Sequence, residues 1–353
     1  MNYANLSKHL VFALFLFLLS ATISFVLIKR VKVLDIPNGR SSHNKSTPTI
    51  GGMAIVFTFF FSMLLIYIFE DKSIIQEQYF IGFTCSSLLI AGMSLYDDLK
   101  KKAFYIRLLT HAVGVIIVMS SGIVINAIDF PYNILFVHNR SLGAAGYFFT
   151  FWWIMGMINS YNFMDGLNGM AGGNAVIATV FFCIISFSQG SNFAYIVSYT
   201  LGSAILGFLI FNFPRGKLFM GDVGSTFLGF SFAVIAIIAS LYDNAHTSLL
   251  VIPLLFFHFI YDTFFTFLRR LVKGENVFQA HRTHLYQLFN RMGFNHLAVT
   301  GFYCAVAILQ GFGAMWMVTI PNLERVLVFI PYLIFQLIYS IIIIINARKR
   351  GLL

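Results

Sequence analysis

The sequence predicts an all-α polytopic membrane protein, and its composition is the first reason. Apolar residues make up 59% of the 353 residues, whereas charged residues make up only 10%. A soluble domain carries about 25% charged residues, so this chain is too poor in charge to cover a water-exposed surface. The mean hydropathy of +0.83 leads to the same conclusion. We therefore expect a single integral membrane domain over residues 1–353.

Apolar stretches long enough to cross a bilayer recur along the whole chain. About 20 helical residues span a hydrocarbon core about 30 Å thick. This rule predicts about eleven transmembrane helices, at residues 10–28, 51–69, 79–96, 104–121, 143–161, 168–187, 193–211, 224–241, 247–268, 297–318 and 326–346. Basic residues rather than a cleavage site follow the first stretch, which we expect to be a helix and not a signal peptide. Residues 122–142 are too polar to span and contain Pro131, so we expect a loop outside.

The distribution of Lys and Arg predicts the orientation of these helices. One side receives most of the 23 cations, in residues 29–50, 97–107, 212–224 and 269–296 and at the C-terminus. The other side receives Lys8, Lys72, Arg140 and Arg325. Because cation-rich loops face the cytoplasm, we expect the N-terminus outside and the C-terminus inside. The net charge of +10 then reflects topology, and no nucleic-acid partner is expected.

Four polar motifs interrupt the apolar chain, and the predicted orientation puts all of them on the cytoplasmic side. The motifs are Asp97-Asp98 and the segments 162–169, 219–225 and 281–287. Charged groups near hydrocarbon are costly, so those at its edge are candidates for function. We expect the four motifs to build one metal-dependent anion site.

The adjacent carboxylates of the first motif predict two different roles. Neighbouring helical positions point about 100° apart, so Asp97 and Asp98 cannot easily act as one group. One could bind a metal or deprotonate an acceptor while the other orients a lysine. The alternative is a solvated helix end beside Lys100.

The second and third motifs combine carboxylates, amides and glycines. Polar residues recur at every third position, which predicts a shared helix face, at Asn159, Asn162, Asp165 and Asn168. They could hold a nucleobase, a ribose or a hydrated metal, or they could be polar contacts between helices. Asp222 lies between glycines at the start of a predicted helix. Its carboxylate is either an N-cap or a ligand of Mg2+, which binds one or two carboxylates plus substrate phosphates.

The fourth motif and one further loop carry groups suited to anions. His281, Arg282 and His284 lack the acidic or cysteine partner that a zinc site needs, so a phosphate or sugar clamp fits better. The polar loop before Gly51-Gly52 leads into a helix start whose free N–H groups would favour anions, or it is a flexible connector. His258 and Asp262 lie within the ninth stretch, and the sequence assigns no role to them.

These motifs, in this order, resemble the polyprenyl-phosphate N-acetylhexosamine-1-phosphate transferases of glycosyltransferase family 4. That family includes the phospho-N-acetylmuramoyl-pentapeptide translocase and the enzymes that start O-antigen and teichoic-acid lipid carriers. The resemblance rests on residues 47–52, Asp97-Asp98, 162–166, 219–225 and the His-containing loop, and it covers nearly the whole chain.

The resemblance implies an enzyme at the cytoplasmic face of a bacterial inner membrane. Undecaprenyl phosphate would attack the β-phosphorus of a UDP-N-acetylhexosamine, with Mg2+ as cofactor, for which Mn2+ could substitute. UMP would leave, and the sugar-diphospho-lipid would start a cell-envelope polysaccharide. The lipid bilayer and a second copy of the chain, as a homodimer, are the other partners expected.

The resemblance also implies roles for individual residues. Asp222 and Asp165 match positions at the metal, and Asp97, Asp98 and Asp222 match catalytic positions, with Asp97 as the group proposed to deprotonate or position the lipid phosphate. The implied substrate-binding residues are Lys45, Asn162, Asp165, Asn168, Asn212, Phe219, His281, Arg282 and His284. Among them, Asn212 and Phe219 match positions that bind and stack on uracil.

Two departures from the family pattern bear on the substrate. Asn168 stands where the family often has Asp, and Tyr286 and Gln287 replace the last two of three histidines. This loop resembles the branch that starts O-antigen units of lipopolysaccharide, sometimes with 6-deoxy sugars. The departure points away from N-acetylmuramoyl-pentapeptide as the transferred group.

Two other classes of function stay open at this point. A transporter or flippase of lipid-linked sugars would place polar groups near the bilayer midplane, whereas here only His258 and Asp262 lie deep. A structural membrane subunit would have no chemistry at all. Release of UMP that depends on a divalent metal would separate the enzyme from both.

Overall fold

The computed structural model describes residues 6–37, 46–69, 76–100, 104–127, 142–243, 245–277, 279 and 281–353. The helices are α1 (Leu6–Arg30), α2 (Gly52–Phe69), α3 (Glu77–Lys100), α4 (Phe104–Ser120), α5 (Ala144–Phe163), α6 (Met170–Gln189), α7 (Asn192–Asn212), α8 (Gly221–Leu241), α9 (Val251–Leu255), α10 (Phe257–Val272), α11 (Leu285–Arg291), α12 (His296–Met317) and α13 (Phe329–Lys349). A 3-10 helix (Asn322–Val328) precedes α13. Two short strands, β1 (Leu34–Asp35) and β2 (Thr47–Pro48), pair in antiparallel fashion.

The all-α membrane fold is confirmed. Eight helices in the described part of the chain are long and apolar enough to cross a membrane: α1, α2, α3, α6, α7, α8, α12 and α13 together with residues before it. Each of the eleven predicted stretches coincides with helix, although the number of spans and their orientation stay predictions. Most of the predicted outside loop, residues 128–141, lies outside the described residues.

The ninth stretch was predicted as one continuous helix, and this prediction is wrong. The chain forms the short helix α9 and the longer helix α10, with a break at Phe256. Pro253 explains why α9 begins only at Val251, because proline has no N–H to donate and is tolerated only in the first turn of a helix. The break matters for the site, because α10 is a separate helix that carries Asp262 and Arg270.

Helix α8 is the centre of the fold. Every residue from Val223 to Ala239 is buried, and the helix packs against α2, α3 and α5. Glycines allow this close approach: a Cβ on Gly52 would lie 2.3 Å from the Cα of Gly224, and one on Gly229 would lie 2.8 Å from the Met157 carbonyl oxygen. Small residues at such crossings are typical of helices packed in membranes. The N-terminal end of α8, with Asp222, is thereby held among three other helices.

Backbone hydrogen bonds fix the segment that leads into α8. The N–H groups of Gly51 and Gly52 donate to the carbonyl oxygens of Phe219 (2.8 Å) and Met220 (2.7 Å). The prediction that these N–H groups are free to bind an anion is therefore wrong, because α8's leading segment already uses them. Gly221 has φ +74°, and a Cβ there would lie 2.0 Å from the Thr49 carbonyl oxygen, so glycine is required at this turn.

The deepest polar side chain of the ninth stretch joins three helices. His258 on α10 makes hydrogen-bond contacts with Asn174 of α6 (2.9 Å) and Gln310 of α12 (2.6 Å). Both ring nitrogens thus lie within hydrogen-bond distance of amide groups in the buried core, where a polar group needs a protein partner. The structure therefore gives His258 a role in helix packing.

Candidate functional site

A cavity of about 360 Å3 lies at the N-terminal end of α8 and brings most of the predicted site residues together. The predicted residues that line it are Asp98, Asn162, Asp165, Asn168, Asn212, Phe219, Asp222 and Arg282. Residues that the sequence analysis did not select also line it: Asp35, Thr49, Gln287, Asn290 and His296 among them. Asp97, His281 and His284 do not line this cavity. Lys45 lies outside the described residues.

Asp222 is held by side chains from two other helices. One carboxylate oxygen pairs with the guanidinium of Arg107 on α4. The other accepts a hydrogen bond of 2.9 Å from the Asn162 amide, which also donates to the Ser225 hydroxyl at 2.8 Å. The carboxylate therefore points into the cavity in a fixed orientation, at the start of the most buried helix of the fold.

Asp98, and not Asp222, caps α8. The Asp98 carboxylate, which belongs to α3, accepts hydrogen bonds from the backbone N–H groups of Asp222 (3.2 Å) and Val223 (3.0 Å). The sequence-based alternative that Asp222 is its own helix's N-cap is therefore wrong. A negative charge at this position satisfies N–H groups that have no partner within the helix and complements its dipole. Asp98 thereby positions the backbone that carries Asp222.

Asp97 points away from the cavity and contacts Arg107. Its carboxylate lies 3.3 Å from Nε of Arg107, so Arg107 bridges Asp97 and Asp222. The prediction of two roles for the adjacent carboxylates fits this geometry. The cation that Asp97 orients is an arginine of the next helix, whereas a neighbouring lysine was predicted. Arg107 was missed although the same rule, that charge at the edge of an apolar helix is costly, would have selected it.

The environment of Asp165 favours its protonated form when no cation is near. Burial, followed by the negative charges of Asp222 and Asp98, raises the pKa of the Asp165 carboxyl to about 7. Among the described residues no group of three or more His, Cys, Asp or Glu side chains could hold a metal alone. The pair Asp165 and Asp222 nevertheless fits Mg2+, which uses one or two carboxylates and takes its other ligands from phosphates and water.

The segment from Asn162 to Asn168 was predicted to lie on one helix face, and this prediction is wrong. Helix α5 ends at Phe163 and α6 begins at Met170, with Gly169 in the left-handed region at φ +75° between them. Gly169 directly precedes α6, and glycine adopts this left-handed conformation without strain, so it allows the loop to turn into α6. Asp165 and Asn168 therefore reach the cavity from a loop.

The amides of this region hold two loops together. Asn168 donates to the Pro214 carbonyl oxygen at 3.2 Å. The Asn212 oxygen accepts from the Gly169 N–H at 2.7 Å, and its nitrogen donates to the Leu218 carbonyl oxygen at 2.9 Å. Both residues thus tie the Asp165 loop to the segment before α8. The half-buried Phe219 ring lies on the same segment and lines the cavity.

Asp262 organises the loop that contains the two histidines. Its carboxylate accepts hydrogen bonds from the N–H groups of Leu285 (2.9 Å) and Tyr286 (3.1 Å), which begin α11. It also lies 3.2 Å from Nδ1 of His284 and accepts from the Tyr303 hydroxyl at 3.1 Å. The sequence analysis assigned no role to Asp262, and the structure makes it the anchor of this loop.

Residues of the same loop face two different cavities. Arg282 and Gln287 line the cavity beside Asp222, whereas His281 and His284 line a second one. Burial, followed by the positive charges of His284, Arg270 and Arg269, lowers the pKa of His281 to about 4. His281 is therefore neutral near pH 7, and the predicted phosphate clamp cannot depend on a positive charge there. The Tyr286 hydroxyl donates to the Phe163 carbonyl oxygen at 2.9 Å and fastens α11 to the end of α5.

The second cavity is a largely apolar groove of about 500 Å3 between α5 and α10. Aromatic and aliphatic side chains dominate its lining, including Trp152 and Phe267. Arg270, His281 and His284 line it too. The groove therefore combines a long apolar wall with polar groups from the histidine-containing loop.

Comparison with known proteins finds a family and several relatives that are similar to the part of the chain that carries the site. The family model described as glycosyl transferase family 4 matches residues 80–240, which include Asp97, Asp98, Asp165 and Asp222. A probable undecaprenyl-phosphate N-acetylglucosaminyl 1-phosphate transferase of Bacillus subtilis is 26% identical, over 97% of this chain and 94% of that protein.

Two further relatives differ in the substrate that their names give. The undecaprenyl-phosphate alpha-N-acetylglucosaminyl 1-phosphate transferase of Yersinia pestis is 27% identical, over 83% of this chain and 79% of that protein. A phospho-N-acetylmuramoyl-pentapeptide-transferase of Staphylococcus saprophyticus is 29% identical, over 79% of this chain and 88% of that protein. The similarity thus extends along most of the chain in both kinds of relative.

Proposed function

We propose that this chain, whose residues 80–240 match glycosyl transferase family 4, transfers an N-acetylhexosamine-1-phosphate from a UDP-sugar to undecaprenyl phosphate and releases UMP. The relatives named as undecaprenyl-phosphate N-acetylglucosaminyl 1-phosphate transferases support this reaction class. The proposal includes Mg2+ as the cofactor and the cytoplasmic face of the bacterial inner membrane as the location.

One observation carries the proposal: the loop with the two histidines lies between a polar cavity and an apolar groove. Arg282 faces the cavity, while His281 and His284 face the groove. A reaction between a water-soluble nucleotide sugar and a lipid phosphate needs two such compartments side by side. The carboxylates and amides of one suit a donor, and the apolar wall of the other suits a lipid tail.

On the donor side, each group in the cavity has a chemical counterpart in a UDP-sugar. The half-buried ring of Phe219 offers a stacking surface for uracil. The Arg282 guanidinium offers a fork for diphosphate oxygens. Asp222 and Asp165 would hold Mg2+, which when bound neutralises negative charge on the diphosphate. Arg107, oriented by Asp97, contacts Asp222 from outside the cavity lining and adds positive charge next to it.

The proposed reaction exchanges one phosphoanhydride for another. An oxygen of the acceptor phosphate bonds to the β-phosphorus of the donor, and the bond from that phosphorus to the bridging oxygen breaks. UMP leaves with the bridging oxygen. Such transfers depend mainly on positioning and charge neutralisation. Asp98 and Asn162 supply positioning here, because they fix the backbone and the carboxylate of Asp222.

For the sugar, we propose an N-acetylhexosamine without a peptide, including 6-deoxy forms, as used to start O-antigen units. The support is the replacement of two family histidines by Tyr286 and Gln287. Tyr286 is fully buried, whereas Gln287 lines the donor cavity. The Gln287 amide accepts from the His284 N–H (3.3 Å) and donates to the Tyr286 hydroxyl (3.1 Å), which leaves its second N–H to donate to a neutral sugar. The transport alternative has less support, because the deep residues His258 and Asp262 are both hydrogen-bonded to other protein groups.

The experiment that tests the proposal is incubation of the purified protein with undecaprenyl phosphate, Mg2+ and a panel of UDP-sugars. Mass analysis of the lipid identifies the transferred group. We expect a lipid diphosphate bearing one N-acetylhexosamine, formed only with metal and inhibited by EDTA. A lipid product that carries the muramoyl pentapeptide would correct the sugar, and no lipid product from any donor would contradict the reaction.

A further inference from the structure

The groove between α5 and α10 has a definite length. On α5 its lining runs from Trp152 to Phe163, and on α10 it runs from Ile260 to Arg270. With a rise of 1.5 Å per residue, these segments are about 16 Å and about 15 Å long. The parts of α5 and α10 that line the groove therefore have nearly the same length.

The groove has a polar end and an apolar end. Arg270, His281 and His284 lie at the cytoplasmic end predicted for both helices, next to the donor cavity. The opposite part contains Trp152 and Phe264, whose side chains are 58% and 61% exposed, as expected of groups in contact with lipid. An acceptor bound with its phosphate head at the polar end and its hydrocarbon tail at the apolar end matches this polarity, whereas the reverse orientation does not.

We infer that the groove recognises only about the first three isoprene units of the polyprenyl phosphate, and that the remaining units lie in the bilayer. This inference depends on the proposed function. An isoprene unit puts four carbon–carbon bonds along the chain, and with bonds of about 1.5 Å an extended unit covers about 5 Å. A groove of about 15 Å therefore holds about three of the eleven units of undecaprenyl phosphate.

The bilayer gives a physical reason for this limit. A tail that leaves lipid for an apolar groove gains no hydrophobic free energy, because both surroundings are apolar. Only close packing against the groove wall favours binding there, through many weak contacts. Beyond Trp152 neither helix lines the groove, so further units meet only lipid and single exposed rings such as that of Phe148, and they add little to recognition. The acceptor is then selected by its phosphate and its first three units, and its total length matters little.

The first test is a series of acceptors with two, three, four, seven and eleven isoprene units, assayed with one UDP-sugar in detergent. We expect kcat/KM to rise on the order of tenfold from two units to three or four, as contacts with the wall accumulate. From four units to eleven it should change less than about threefold. A steady rise up to eleven units would overturn the inference, because it would require contacts beyond the groove.

The second test blocks the part of the groove that would hold the third isoprene unit. Gly156 lines the groove, and a Cβ there would meet no atom within 4 Å, so a larger side chain fits without a clash. It lies seven residues before Phe163, about 10 Å along α5, where the third isoprene unit would lie. We expect Gly156→Leu to lower kcat/KM for the eleven-unit acceptor to the level of the two-unit acceptor. Turnover of the two-unit acceptor should stay within about twofold.

Gly92→Leu is the matched control. Gly92 lies on α3 outside the groove, and its Cβ would likewise meet no atom within 4 Å. We expect this variant to keep the full length profile of the parent protein. If Gly156→Leu impairs all acceptors equally, or none of them, the inference is wrong. If the parent protein turns over no polyprenyl phosphate of any length, the proposed function itself fails, which is a different result.

Discussion

Two aspartates make the same local contact in different surroundings. Asp98 accepts hydrogen bonds from the first N–H groups of α8, and Asp262 does so for α11. Asp262 is 1% exposed, and side chains such as those of His284 and Tyr303 complete its hydrogen bonding. Asp98 is partly exposed and lines the cavity beside Asp222.

The comparison separates a structural cap from a functional one. A buried carboxylate that is surrounded by donors holds one arrangement, because any other would leave charge unpaired away from water. A carboxylate at the edge of a wet cavity costs less to disturb, and it acts on the reaction through the group it positions. We therefore expect loss of Asp262 to reduce stability most, and changes around Asp98 and Asp222 to reduce activity most.

The largest expected effect is that of Asp222→Asn, the residue that the Asp98 cap positions. Loss of a ligand to a catalytic metal should remove several kcal/mol of transition-state stabilisation, so turnover should fall at least about a thousandfold. The folded state should persist. Initial rates at saturating Mg2+ and the Tm of the detergent-solubilised protein measure the two effects separately.

Asp243→Asn is the control for this variant, because Asp243 follows the opposite end of α8. It caps α7 by accepting from the N–H groups of Phe193 (3.3 Å) and Ala194 (3.0 Å). We expect it to reduce Tm and to leave the rate of the folded fraction unchanged. Normal turnover by folded Asp222→Asn would remove Asp222 from the metal site.

The second prediction sets Asp262→Asn against Asp98→Asn. Asp262→Asn should cost about 3–5 kcal/mol of folding free energy, since a buried charged network loses its centre. Asp98→Asn should cost about 1 kcal/mol, because the amide nitrogen cannot accept one of the two backbone hydrogen bonds that the carboxylate accepts. Its turnover should nevertheless fall about 10- to 100-fold, because Asp222 is displaced slightly. Thermal unfolding measures the loss of stability in both variants, and initial rates measure the loss of turnover. Equal losses of Tm would contradict the distinction between the two caps.

The third prediction concerns Asp165, whose pKa is raised to about 7 by burial and by the charges of Asp222 and Asp98. Below that pH the free site holds a proton that a metal ion must displace; above it the carboxylate is ready to bind. The Mg2+ concentration for half-maximal rate should therefore increase up to about tenfold per pH unit below pH 7. Mg2+ titrations between pH 5.5 and 8 measure it. A half-maximal concentration that is constant over this range would exclude Asp165 as a ligand.

The smallest expected difference lies within the loop that Asp262 anchors. Tyr286→Phe removes two hydrogen bonds, one donated to the Phe163 carbonyl oxygen and one accepted from the Gln287 amide, each worth about 1 kcal/mol. His284→Ala removes a partner of Asp262 and a group that lines the groove, so turnover should suffer more. Steady-state kinetics with varied donor and varied acceptor measure the loss of turnover in each variant. If Tyr286→Phe were the inactive variant and His284→Ala the active one, the roles of the two residues would have to be exchanged.

Hydropathy predicted the helices well because it is a local property of the chain. The position of the candidate site followed as well, since the polar motifs with Asp98, Asp165 and Asp222 interrupt apolar stretches on one predicted side. The break at Phe256 was missed, because its apolar neighbours give no hydropathy signal.

The partners of each site residue could not be predicted, because they come from distant parts of the chain. Asp98 and the α8 backbone are more than 120 residues apart, and Asn162 meets Asp222 across 60 residues. Arg107 was counted only as a topological signal, although its two carboxylate partners lie on α3 and α8. Spacing within a motif identifies candidate residues, but only the packing of helices decides which group each one holds.

The most direct test of the central claim, transfer of a sugar-1-phosphate at the Asp222 cavity, follows the β-phosphorus of the donor. A UDP-sugar labelled in its β-phosphate is incubated with the protein, undecaprenyl phosphate and Mg2+. We predict that the label enters the lipid, that UMP is the soluble product, and that added UMP returns the label to the nucleotide sugar, since one phosphoanhydride replaces a similar one. Label that stays in soluble UDP while the sugar moves to the lipid would contradict the account.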